Sequence, residues 1–295
     1  MVLYMQGDGT MIYLNEFKLL NEEAENKIII KEKRTYLNSL YPFRIFSNKG
    51  LETIKFGDVT ILYGGNGSGK STILNIIANK LDCSGKLGAK NEMYVEYLEA
   101  CKYEFSINKC QEIKIIRSDD IFDYIYSIRN INNRNFNNRE ALLREYFDNK
   151  NVSIHDFSDY ERLKNEVDAK KKSASSYIKC RALNKDVKEQ SNGESALMYF
   201  VSEIKENSLY LLDEPENSMS AAMQLKLTKF LEESARFFHC QFIIATHSPF
   251  ILGMRGAVIY DLDDENVKVK NFWELENMKL YYDFFKQNET KFDKK

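Results

Sequence analysis

The sequence predicts an α/β fold with a core sheet built around a phosphate-binding loop, a β-rich N-terminal region and an inserted helical segment. Three observations predict it. A glycine-rich stretch, Gly64-Gly65-Asn66-Gly67-Ser68-Gly69-Lys70-Ser71, sits between a strand-like and a helix-like run. Two later apolar runs, around Leu211 and Ile244, each end in residues able to do chemistry. Between about 121 and 190 the apolar spacing turns helical.

The N-terminal 63 residues read as β-rich, with short apolar runs at Met11–Leu14 and Lys27–Ile30 and an alternation from Phe43 to Phe46. Val59–Tyr63 is a strand, and Thr72–Ala78 belongs to a helix that runs to about residue 81. Tyr94–Phe105 alternates irregularly and reads as strands; Ile113–Ile116 reads as a buried strand ending at Arg117. Helical spacing follows in Ile121–Ile128 and Leu142–Phe147, and Ser158 is placed to cap a further helix near Tyr160. The α/β pattern then resumes. It gives a helix from Glu194 to about Glu203, a strand at Leu209–Leu212 and an amphipathic helix with Leu227, Phe230, Leu231, Ala235 and Phe238 on one face. A strand at Phe242–Ala245, a hairpin from Ala257–Tyr260 to Val267–Lys270 and a helix from Glu274 to about Lys286 complete the chain.

Composition narrows the function classes. The chain has 295 residues, a length that fits two domains or one with a large insertion, and 43% of them are apolar. A net charge of −2 gives no global pull toward nucleic acid or membrane. No apolar run approaches the ~20 residues of a membrane span, and Gln6, Asp8 and Asn15 interrupt any N-terminal signal pattern. Five scattered cysteines without a C-x-x-C pair point to reduced thiols in the cytoplasm. Three histidines, His155, His239 and His247, do not make a multi-histidine metal site.

The glycine-rich stretch has the G-x-x-x-x-G-K-[ST] form of a P-loop in its required strand–loop–helix context. Glycines let the backbone aim several N–H groups at one phosphate chain, and the helix N-terminus adds positive charge. Lys70 reaches β- and γ-phosphates, and Ser71 ligates Mg²⁺. Leu209–Leu212 ends in Asp213-Glu214, the form of a Walker B strand. There Asp213 holds Mg²⁺ and Glu214 orients and deprotonates a water. Ile243–Ala245 ends in Thr246-His247-Ser248-Pro249, which puts His247 at the same sheet edge, within reach of a γ-phosphate. Ser191-Asn192-Gly193-Glu194 fits a helix capping box, and the same geometry offers a hydroxyl and free N–H groups to an anion. Lys170, Lys171, Lys172, Lys179, Arg181, Lys185 and Lys188 form a basic segment, either a solvated face or a contact for nucleic-acid phosphates.

In this order of motifs the chain resembles the ABC-type ATPases, and within them the soluble RecF/SMC-like branch of small bacterial ATPases, over roughly residues 10 to 285. The resemblance implies a P-loop NTPase of ABC type: a RecA-like core sheet, an N-terminal antiparallel β subdomain and an inserted α-helical subdomain. It divides the chain into an ATP-binding core, 1–120 and 191–295, and a helical insertion, 121–190, leading to the signature. It implies that Gly64 to Gly69, Lys70, Ser71 and Thr72 bind ATP, that Ser71 and Asp213 hold Mg²⁺, and that Glu214, His247 and Lys70 are catalytic. Ser191 and Gly193 become signature residues touching ATP held by a second copy, in a homodimer that forms on ATP and opens on hydrolysis. The departures are specific. Gln190, Asn192 and Glu194 replace signature residues, Ser220 stands at the D-loop aspartate, and Arg117-Ser118-Asp119 stands where a Q-loop glutamine is expected, with Gln111 before the strand. Asp119 is a candidate water or Mg²⁺ contact there. Tyr41, Phe43 and Phe46 are candidates to stack on adenine or to pack in the core. The expected role is an ATPase clamp acting with a separate effector and nucleic acid, in a nucleic-acid-linked or defence process. The alternatives are the ATP-binding subunit of a membrane transporter and a non-hydrolysing nucleotide-dependent scaffold.

Overall fold

A computed structural model of the chain describes residues 12–31, 40–88, 91–106, 110–151 and 192–292. The chain divides into two compact units, Met1–Asp120 with Ala196–Lys295, and Ile121–Ser195.

The first unit holds two sheets. The smaller is antiparallel, in the order β2-β1-β4, with β1 at Leu14–Lys18, β2 at Thr53–Lys55 and β4 at Lys102–Phe105. The larger has the order β5-β6-β7-β3-β8-β9. Its strands are β3 (Val59–Tyr63), β5 (Glu112–Arg117), β6 (Ser208–Asp213), β7 (Gln241–Ala245), β8 (Val258–Asp261) and β9 (Lys268–Lys270). All of its neighbours run parallel except the β8–β9 hairpin. β3 and β7 are buried at every residue, as strands covered on both faces must be, which is why they read as unbroken apolar runs. Helix α2 (Lys70–Lys80) buries Ile73, Leu74, Ile76 and Ile77 beneath this sheet, each worth ~1.5–3 kcal/mol of transfer free energy.

Gln241 and Tyr260 tie the two sheets together; the Tyr260 hydroxyl on β8 accepts the Lys55 N–H of β2 at 2.8 Å and donates to the Lys55 carbonyl at 3.0 Å. Gln241 is fully buried at the start of β7; its Oε1 accepts the Tyr13 and Leu14 N–H groups at 2.9 Å each. Its Nε2 donates to the Leu14 and Gly57 carbonyls at 2.9 and 3.0 Å. A buried amide with its donors and acceptor all satisfied fixes a relationship that apolar packing alone leaves free to slide.

Several strand expectations are corrected. Lys27–Ile30 lies in a helix, α1 (Glu22–Lys31): Asn21 Oδ1 accepts the Ala24 N–H at 2.9 Å, and Glu22, Glu23 and Glu25 load the first turn. Tyr94–Ala100 is likewise helical, in α3 (Glu92–Ala100), because Asn91 caps it by accepting the Tyr94 N–H at 2.7 Å; only Lys102–Phe105 is a strand. Phe43–Phe46 is a turn, held by Glu25, whose Oε2 accepts from the Arg44 N–H at 2.8 Å and the Ser47 hydroxyl at 2.6 Å. Burial raises the Glu25 carboxyl above its ordinary range. Three thiols sit deep in this unit, and burial pushes Cys83 and Cys101 up to about 12 and Cys240 to about 11.

Helix α4 (Ser118–Asn151) follows β5 directly and is capped in reverse, with Asp120 Oδ2 accepting the Arg117 N–H at 2.8 Å. In the second unit α4 buries Ile121 and Ile125, one turn apart. The cap at Ser158 and the basic segment from Lys170 to Lys188 lie outside the described residues. Helix α5 (Asn192–Glu203) crosses back into the first unit in sequence. Helix α6 (Ala221–Phe237) buries Leu227, Leu231 and Ala235 as expected, whereas Phe238 is its exposed C-cap. The short helix α7 (Pro249–Leu252), then α8 (Glu276–Gln287) and α9 (Glu289–Phe292), follow. Among the described residues no helix is long and apolar enough to cross a membrane.

Candidate active site

The sheet order places the carboxyl ends of β3, β7 and β6 side by side, and the candidate residues leave from those ends. The register pairs Leu62 with Ala245, and Ala245 with Asp213, so the P-loop, Thr246-His247 and Asp213-Glu214 begin at one level.

The loop after β3 needs its glycines for identifiable reasons. Gly64 and Gly69 have φ of 154° and 107°, in the region where side chains are strained. A Cβ on Gly69 would lie 2.8 Å from the Phe46 ring, and one on Gly64 would lie 2.6 Å from Ser68 Oγ. Phe46 is therefore a floor beneath the loop, and Phe43 is equally buried, edge-on to Tyr97 at 5.1 Å. Tyr41 stacks on Tyr94 at 5.8 Å. By contrast, a Cβ at Gly67 would meet nothing within 4 Å, which leaves the tip of the loop open.

Lys70 opens α2 with its side chain folded back across the loop. Its Nζ donates to the carbonyls of Gly64 at 2.8 Å and Gly65 at 3.1 Å, and lies 2.8 Å from His247 Nε2. With the ammonium donating, Nε2 accepts, which places the proton of a neutral imidazole on Nδ1. Burial lowers the pKa of Lys70, opposed by Glu214, Asp213, Asp263 and Glu216. His247 Nε2 also lies 3.6 Å from Glu214 Oε1. Glu214 has φ of 50° and donates its N–H to the Ala245 carbonyl at 2.9 Å, a strained conformation that turns its side chain toward His247. Ser71 Oγ donates to Asp213 Oδ1 at 3.0 Å. A hydroxyl and a carboxylate in contact at the mouth of a phosphate loop are the hard oxygen donors that Mg²⁺ takes alongside phosphate, so the residues fit that ion. Burial raises the Asp213 carboxyl, with Ser71, Arg117 and Lys70 opposing.

The family model described as ABC transporter matches residues 51–217. The chain belongs to this family. No curated protein matches it. Among solved structures it is similar to the Smc head domain of Pyrococcus furiosus bound to the C-terminal domain of ScpA, at 13% identity and TM-score 0.41, covering 92% of this chain and 99% of that one. It is similar to the SMC head domain from Thermotoga maritima at 16% identity and TM-score 0.41, covering 88% and 99%. A third likeness is to a dimeric ATP-binding cassette in a post-hydrolysis state with ADP and Pi, at 16% identity and TM-score 0.35, covering 75% and 88%. The family rests on the sequence match.

In this ABC-type ATPase Arg117, the first residue of the stretch where a Q-loop glutamine is expected, lies beside Asp213 in the β5–β6 register. Its guanidinium donates to Gly85 O at 2.6 Å and to Asn75 Oδ1, on α2, at 2.8 Å. Asp119 lies exposed in the first turn of α4. Thr72, next to Ser71 on α2, is half-buried. Ser220 N-caps α6 without a side-chain hydrogen bond. Gly193 is buried in the second unit, and Ser191 lies outside the described residues.

Two residues of the site escape the sequence patterns. Asp263, in the β8–β9 hairpin, accepts the Gly65 N–H with both oxygens, at 2.8 and 2.7 Å. Glu216 holds the backbone beside His247, at 2.8 Å from its N–H. The Asp263 contact spans 198 positions and the Glu216 contact 31, and no local motif announces either.

Proposed function

We propose that this chain hydrolyses ATP and dimerises on it as a nucleotide-gated clamp. The observation that supports it is the convergence of five side chains at adjacent strand ends: Lys70 hydrogen-bonded to His247, Ser71 hydrogen-bonded to Asp213, and Glu214 at 3.6 Å from His247. Gly64 to Thr72 cradle the triphosphate, and Lys70 swings from its own loop carbonyls onto the β- and γ-phosphates. Ser71 and Asp213 hold Mg²⁺, which when bound neutralises phosphate charge. Glu214 orients the attacking water and takes its proton, while His247 hydrogen-bonds the γ-phosphate. Ser191 and Gly193 of a second copy complete each site, so loss of the γ-phosphate releases the pair.

The clamp works in the cytoplasm with a separate effector, on nucleic acid, through the basic segment around Lys170. Charge reversal at Lys170, Lys171 and Lys172 is expected to remove DNA stimulation of the ATPase and salt-dependent DNA binding. The defining test is Glu214→Gln with ATP in a sizing experiment. A stable dimer supports the clamp, and a monomer overturns it. The family's description as ABC transporter favours one other reading, the ATP-binding subunit of a membrane transporter; co-purification with a membrane protein would favour it over the clamp.

A further inference from the structure

Glu216 lies in the turn that leaves β6, between the acids of that strand and helix α6. Its Oε1 accepts three hydrogen bonds, from Thr246 Oγ1 at 2.6 Å, His247 N at 2.8 Å and Ser248 N at 3.1 Å. Its Oε2 is buried and has no hydrogen-bond partner among the described residues. Leaving a carboxylate oxygen dry is costly, and three charge-assisted bonds on the other oxygen offset that cost. Such a residue is out of place in a turn that needs only to change direction. What it achieves is to fix the backbone of residues 246–248, and His247 is the middle residue of the three.

The other end of the same residue belongs to the turn that carries Glu214. The Met219 N–H donates to Glu216 O at 3.0 Å, the Asn217 N–H to Glu214 O at 3.2 Å, and Asn217 Nδ2 to Glu214 Oε2 at 3.0 Å. Beyond the loop, Ser248 Oγ donates to Gln224 Oε1 on α6 at 2.7 Å. One carboxylate thus joins the turn holding the candidate base to the loop holding the candidate γ-phosphate contact. Among the described residues it makes no hydrogen bond to the P-loop.

We propose that Glu216 is a positioning residue for hydrolysis: by holding Thr246 to Ser248 it sets the His247 imidazole against Glu214 and Lys70, and it makes turn 214–220 and the histidine loop move as one piece. The inference rests on the ATPase reading of this site. Because Glu216 engages the hydrolytic side and not the phosphate cradle, its loss separates turnover from ATP binding.

The test measures ATP turnover, KM and thermal unfolding for wild type, Glu216→Ala, Glu216→Gln, His247→Ala and the double Glu216→Ala/His247→Ala variant. Glu216→Ala is expected to lower kcat more than about tenfold with KM within about twofold. Glu216→Gln keeps a carbonyl acceptor and is expected to recover most of the rate, and it carries the test if the alanine variant does not fold. The double variant is expected to be no slower than His247→Ala, the mark of two residues acting as a unit. Independently of activity, the imidazole NMR signal missing from His247→Ala should shift in Glu216→Ala and stay in place in Glu216→Gln. Wild-type kcat in Glu216→Ala, multiplicative losses in the double variant, or an unmoved His247 signal would overturn the proposal. A wild type that turns over no ATP overturns the ATPase reading instead, and the imidazole signal still decides whether Glu216 positions His247.

Discussion

The Lys70 ammonium lies 2.8 Å from Nε2 of His247, a residue 177 positions away in sequence. The contact joins the candidate phosphate-binding cation to the candidate γ-phosphate contact by one hydrogen bond. Their variants should therefore fail differently. Lys70→Ala is expected to weaken ATP binding by at least ~30-fold, the lower end of removing one partner of a buried charge pair. His247→Ala should bind ATP nearly normally and lose roughly 10²–10³ in kcat, as loss of one transition-state hydrogen bond does. Calorimetric titration beside a phosphate-release assay separates the two.

Asp263 holds the first turn of the P-loop from the β8–β9 hairpin through the Gly65 N–H. Asp263→Ala should raise KM for ATP roughly tenfold through loss of loop order, with kcat little changed. Asp263→Asn keeps an acceptor for the Gly65 N–H and should stay close to wild type. Steady-state kinetics on the two variants checks the claim; equal damage from both would mean the charge matters.

Gly69→Ala sets two penalties against the loop at once. The φ of 107° and the 2.8 Å approach to the Phe46 ring each cost about 1–3 kcal/mol. Phe46→Ala alone should cost about 3–5 kcal/mol as the loss of a buried ring, but it removes the contact and leaves the backbone strain, so Gly69→Ala should cost less in the Phe46→Ala background than in wild type. Thermal or urea unfolding of Gly69→Ala, Phe46→Ala and the double variant should show that difference.

Glu25 makes a pH prediction with a definite sign. Its folded-state pKa is raised by burial, so its ionisation weighs against the fold. Its contribution is fully present below the ordinary glutamate value and is lost as pH rises through the raised one. The stability of wild type relative to Glu25→Gln should therefore fall between about pH 4.5 and pH 7. Urea midpoints at the two pH values measure it.

The core strands β3, β6 and β7 were legible because burial on both faces writes them as apolar runs, and the residues leaving their ends follow from the sheet. The short runs at Lys27–Ile30 and Tyr94–Ala100 were not, because a few apolar residues look alike in a strand and in a helix. Their helical state rests on Asn21 and Asn91, single caps that a reading of apolar patterns passes over. Asp263 and Glu216 were invisible for another reason: Asp263 acts on a backbone N–H group and Glu216 on two of them beside the Thr246 hydroxyl, and backbone N–H groups are the same in every sequence.

Cys83, Cys101 and Cys240 hold their protons so firmly that at pH 8 a thiol near 12 is ionised in about one molecule in ten thousand, and one near 11, as Cys240 is, in about one in a thousand. An alkylating reagent thus reacts with them only when the surrounding structure opens. The three sulfurs are a built-in clock, at the end of α2, ahead of β4 and ahead of β7, and their labelling rates report how often each seam breathes and whether nucleotide slows it.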